Sequence, residues 1–214
     1  MFGLGKRTRA IADYDFNVGD GWHGVDFDRE ETPRWAEDLA QEVESARAEP
    51  ASDRERAGFL ADLKAMRTRL IAARIEQPGM LAAIQVPADE LLHIKCALVW
   101  RITNLEAGQT PQSYQAALDA DEGSRTPGER YDIVTTWMIA VEVGVAVGAY
   151  NVITYTDPGE AIGRTEARTV ITVFVDKSSQ VFEFVFTTQD FATYDDMVEL
   201  SMASIASLTV QLEK

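Results

Sequence analysis

The sequence is poor in the residues that most often carry chemistry: one cysteine, Cys96, and two histidines, His23 and His93, in 214 residues. A lone cysteine cannot close a disulfide within its own chain, so no disulfide framework is expected. His93 and Cys96 are separated by an odd number of residues on a segment that reads as a strand. Their side chains should leave opposite faces and cannot share an ion. No metal, cofactor or catalytic residue is expected. The glycine-lysine-serine phosphate loop is missing, and Gly3-Leu4-Gly5 lacks the third glycine of a dinucleotide turn. Basic residues are scarce, 20 Lys+Arg against 35 Asp+Glu, for a formal charge of −15. Such a surface repels phosphate backbones and anionic lipid, which argues against nucleic-acid binding and membrane attachment.

Long apolar runs are also missing. The run from Ile133 to Ala149 is interrupted by Glu142, and its Val, Ile, Thr and Gly content reads as strand. No direct membrane insertion is expected. Lys6, Arg7 and Arg9 are followed by Asp13 and Asp15, not by the apolar core of a secretory signal. The expected location is cytoplasmic.

What is present is ordinary core-forming material, 46% hydrophobic and 26% charged. No linker or repeat is visible, and the chain reads as a single domain over 1–214. Ala12–Val18 and Trp22–Phe27 alternate as short strands about Gly19-Asp20-Gly21. Thr32-Pro33 opens a helix with Trp35, Leu39 and Val43 on one stripe. Ser52 and Glu55 form a capping box before a long helix that runs to Pro78-Gly79. Phe59, Leu60, Leu63, Met66, Leu70 and Ile71 share its apolar face; Asp62, Lys64, Arg67 and Arg69 cover the rest.

Strands are read at Met80–Val86, His93–Asn104, Tyr131–Val143 and Ala149–Thr156, with a short helix after Thr110-Pro111. Gly144 and Gly148 suggest a bend or bulge. Thr165–Val175 and Val181–Thr187 form a hairpin around Asp176-Lys177-Ser178-Ser179, and Thr193 caps a last helix with Met197, Leu200, Ile205 and Leu208 inward. The last four strands follow one another without intervening helices. This favours an α+β fold with a mainly antiparallel sheet packed with helices.

Two clusters invite a chemical reading. Asp26, Asp28, Glu30 and Glu31 are closely spaced carboxylates, but acids also gather where a strand leads into a helix N-terminus. Asp119, Asp121 and Gly123 lack the spacing and final glutamate of a calcium loop. The strands Tyr131–Val143 and Val181–Phe186 are apolar on both faces, so each face is covered by the chain itself or is a binding surface.

The opening Tyr14-Asp15-Phe16-Asn17-Val18 and Gly21-Trp22, the long helix, and the ending Val181–Thr188 with a helix from Thr193 together resemble the PsbP-like fold. Within it the chain is most similar to actinobacterial LpqN-type proteins and to Eag-type effector chaperones; Arg outnumbers Lys 15 to 5, as in GC-rich genomes. The LpqN lipoproteins carry a signal and lipobox cysteine that are not seen here. The resemblance implies an α/β/α sandwich and action by binding. The expected function is therefore a non-enzymatic, protein-binding adaptor or chaperone associated with a bacterial secretion or injection system. The alternative is a carrier of a small apolar ligand held between helix and sheet. An enzyme using the Asp26–Glu31 carboxylates is a third reading. The expected partner-binding residues are Val134, Met138, Val181 and Val185. Trp137, Phe182, Phe184 and Phe186 alternate with them and should face the core under the long helix.

Overall fold

A computed structural model describes residues 9–27, 32–87, 92–120, 128–156 and 163–214. The chain divides into two compact units, Gly19–Val99 and a second made of the segments before Gly19 and after Val99. Asp28, Glu30 and Glu31 lie outside the described residues, as do the side chains of Thr32 and Thr193, to which capping roles were assigned. The class is α+β with antiparallel strand pairing, as the order of elements predicted.

The Gly19–Val99 unit holds β2 (Trp22–Gly24), α1 (Thr32–Ala46), α2 (Asp53–Glu76), β3 (Leu81–Gln85) and the first half of β4 (Cys96–Asn104). Trp35, Leu39 and Val43 of α1 are buried, as their spacing requires. From α2, Phe59, Leu63 and Leu70 join them with Met80, Ile84 and Val86 in one core. Ser52 Oγ accepts the Glu55 N–H, which starts α2 where the capping box places it. The Glu55 carboxylate also accepts the Leu92 N–H at 3.1 Å. That bond is the largest influence holding its pKa below the ordinary 4.5; the Ser52 N–H and Arg47 add to it and burial opposes it.

One expectation for α2 fails. Arg67 was placed on the exposed face, yet it is only 1% exposed, and its Nε donates to the Asp26 carbonyl at 2.9 Å. Helical periodicity places residue 67 beside Leu63 and Leu70. A guanidinium can lie there because its long stem is apolar and its head finds a backbone acceptor.

The second unit holds β1 (Ile11–Asp15), the rest of β4, α3 (Pro111–Ala120), β5 (Glu129–Val141), β6 (Gly144–Tyr155), β7 (Thr165–Val175), β8 (Gln180–Thr188), α4 (Tyr194–Ala206) and β9 (Thr209–Leu212). Its strand order is β4-β8-β7-β6-β5, and β1 pairs separately with β9, a strand the sequence pattern missed. β6 begins at Gly144, before the Ala149 expected, and runs unbroken through Gly148. Gly144 takes φ +149°, and a Cβ there would collide with the Phe174 carbonyl, so the tight return from β5 demands glycine.

Phe182, Phe184 and Phe186 are fully buried. Tyr14 and Phe16 lie on Phe182 and Phe184, with ring centroids 5.0 and 5.2 Å away. Trp100 stands edge-on to Phe16 and donates its Nε1–H to the Tyr14 hydroxyl at 3.0 Å. The alternation of Tyr14 and Phe16 thus serves this aromatic layer. α4 packs against β7 and β8 through a face that includes Met197 and Ile205. Ser201 and Ser204 are also buried in α4, and each satisfies its hydroxyl on a helix carbonyl, Val198 and Leu200 respectively.

Candidate functional site

β5 ends the strand order, and its alternation decides what each face of this end of the sheet presents. A bulge lies between Tyr131 and Ile133; beyond it the pairing with β6 is regular to Val141. On one face, Ile133 stands opposite Val152, Thr135 opposite Tyr150 and Trp137 opposite Gly148. The Trp137 indole lies on Gly148: a Cβ there would fall inside contact distance of three indole carbons, the farthest at 2.8 Å. Glycine at 148 is what lets the ring approach the backbone this closely. Tyr150 adjoins it with centroids 5.8 Å apart. Trp137, Tyr150 and Val152 are half-buried, and Ile133 is 55% exposed. The result is an open apolar and aromatic surface at the end of the sheet.

The four residues singled out from sequence lie on the opposite face, and they do not form one patch. Val181 is buried with Phe174 and Val147, against Tyr114 and Leu118 of α3. Val185 and Val134 are half-buried, while Met138 is 38% exposed. Between them the same face carries polar groups. Glu183 stands between Val181 and Val185 and is ion-paired with Arg101. Asn151 is opposite Val134, and Arg168 is opposite Asn151. Arg168 Nη2 donates to Glu166 Oε1 at 3.2 Å and to the Tyr155 hydroxyl at 3.3 Å, with Glu129 Oε1 at 3.6 Å. Burial is the largest influence on Arg168 and opposes its charge; Glu166, Tyr155, Glu129 and Tyr131 together outweigh it and hold its pKa above the ordinary value. This network ties β5, β6 and β7 together at the end away from α3.

The four residues chosen from sequence thus belong to β5 and β8 on one face, while Ile133, Trp137 and Tyr150 lie on the other. The available signal was the pairing of Trp137 with a glycine, which cannot be recognised before the register of β5 on β6 is known.

In the Gly19–Val99 unit, a cleft of about 440 Å³ is lined by Trp22, His23, Asp26, Trp35, Asp38 and Glu42, among others. His23 Nδ1 lies 3.5 Å from Glu42 Oε1. Of the acidic group noted in the sequence, Asp26 lines this cleft; its carbonyl is the acceptor for Arg67. Cys96 is buried at the start of β4. No group of His, Cys, Asp and Glu suited to a metal ion occurs among the described residues. No helix among them is long and apolar enough to cross a membrane.

No family model and no curated protein matches the chain. Solved structures do. The chain is similar in fold to LpqN of Mycobacterium tuberculosis, described as involved in cell envelope biogenesis, at 11% identity and a TM-score of 0.46, covering 92% of this chain and 83% of that one. It is also similar to the cyanobacterial PsbP of Synechocystis sp. PCC 6803, at 13% identity and a TM-score of 0.44, over 99% and 97% of the two chains. A Pseudomonas aeruginosa protein of unknown function, described as a putative regulator, matches at 12% identity and a TM-score of 0.41 over 59% of this chain and 81% of its own.

Proposed function

We propose that this chain is a non-enzymatic, protein-binding adaptor or chaperone that engages its partner through the β5–β6 end of the sheet. The observation that carries this reading is Trp137 lying against Gly148 and Tyr150, on the face of β5 that also carries Ile133. Tryptophan and tyrosine are the residues on which interface energy concentrates, because they bury much area at little conformational cost. The acidic surface serves encounter and partner choice more than affinity. Met138 extends the apolar surface to the other side of the same strand. The cleft beside His23 suits an apolar ligand poorly, since its lining includes Asp26, Asp38 and Glu42, whose charges would lose water to an apolar guest.

A photocrosslinking residue at position 133, introduced in the native host, should capture a defined protein; one at Ile75, which is 76% exposed on α2, should not. With that protein purified, Trp137→Ala should weaken binding roughly thirtyfold, the size of an interface hot spot. Equal capture from both positions, or binding unchanged by Trp137→Ala, would count against the reading.

A further inference from the structure

We infer that the outer edge of β5 pairs with an extended strand of a basic partner protein. This rests on the protein-binding reading of β5–β6 and adds the mode of contact. β5 is the last strand of its sheet among the described residues, so the outward N–H and C=O groups of Ile133–Val141 meet no further strand there. Exposed edges are normally blunted by lysine, proline, bulges or short length. Ile133-Val134-Thr135-Thr136-Trp137-Met138-Ile139-Ala140-Val141 contains no charged residue and no proline. The bulge at Tyr131–Ile133 blunts only its first end. A nine-residue strand, about 30 Å at 3.3 Å per residue, is left open to addition.

The neighbouring side chains suit an added strand. Ile133 and Trp137 flank the edge on one face and Met138 on the other, so alternate residues of an incoming strand meet apolar surface on both sides. Charge selects the occupant. The nearest unpaired-strand flank is acidic: Glu142 is exposed where β5 ends, and Asp119 of α3 accepts the Thr136 hydroxyl beside it. Arg130, at the other end, is paired to Asp132. A second copy would bring two chains of −15 together, whereas a strand with basic ends is drawn to this edge.

The test uses the whole chain and three synthetic peptides of alternating valine and threonine: one ended by lysines, one ended by glutamates, and a lysine-ended one N-methylated at alternate residues. Amide exchange of 133–141 is read by NMR, and affinity by titration. The lysine-ended peptide should slow alternate, outward amides of β5 at least tenfold. The glutamate-ended peptide should bind at least tenfold more weakly, and the N-methylated one should not bind. Thr135→Lys, at an exposed position, should weaken the lysine-ended peptide about tenfold by guarding the edge. Absence of binding, or equal binding of the glutamate-ended peptide, overturns the proposal. Outward amides already slow in the isolated monomer, or slow in a sedimenting dimer, also overturn it by assigning the edge to the chain itself or to a second copy. Undiminished binding of the N-methylated peptide that is lost on Trp137→Ala overturns strand pairing while leaving the protein-binding reading intact.

Discussion

Gly148→Ala isolates the contact on which the functional reading rests. A Cβ at 148 would lie at most 2.8 Å from three carbons of the Trp137 indole. Ordinary carbon contacts are about 3.5–4.0 Å, so the ring has to move by on the order of 1 Å. Overpacking of this kind costs about 1–3 kcal/mol. Alanine offsets roughly 0.5–1 kcal/mol of it by restricting the unfolded chain. The net loss should be about 0–2.5 kcal/mol, toward the lower half because the half-buried indole can swing outward. In a Trp137→Ala background the obstacle is gone, and the same substitution should stabilise by about 0.5–1 kcal/mol. The coupling between the two positions is then about 1–3 kcal/mol. Urea unfolding of the four proteins, followed by circular dichroism at constant m, measures it. If the coupling between positions 137 and 148 is below about 0.5 kcal/mol, the indole does not rest on residue 148 and the proposed surface is wrong.

Leu63→Ala should cost about 2–5 kcal/mol, since Leu63 is fully buried among α1, α2 and β3 residues. A loss under about 1 kcal/mol in the same denaturation assay would mean that α2 presents a different face. Glu55→Gln should destabilise at neutral pH by an amount that shrinks on acidification. The folded pKa is depressed below 4.5, so the carboxylate's contribution is present above that value and is lost as pH falls through the folded one. Comparing urea midpoints of the two proteins at pH 7 and about pH 3 checks this, and an equal deficit at both would refute the role given to the Leu92 N–H.

Local sequence was enough wherever a feature depended on neighbours along the chain. The Ser52–Glu55 box, the Trp35-Leu39-Val43 stripe, the buried Phe59-Leu63-Leu70 face and the hairpin about Asp176–Ser179 all follow from periodicity, capping and turn chemistry. So does the α+β class, because consecutive strands without helices between them pair most simply as neighbours. The acidic charge and the shortage of histidine and cysteine are likewise properties of composition.

Tertiary structure decided everything that depends on which segments meet. Both faces of β5 are apolar in sequence, and only its register on β6 shows Trp137 opposite Gly148 while Val134 stands opposite the polar Asn151. Val181 reads like Val185, yet α3 covers the first and leaves the second half-buried. Arg67 reads as a surface residue until the Asp26 carbonyl, far from it in sequence, supplies its partner. β9 is too short to announce itself and exists because β1 is there to receive its hydrogen bonds. A periodic pattern says that a side chain has an inside and an outside; burial also requires a surface to meet, and that surface comes from residues distant along the chain.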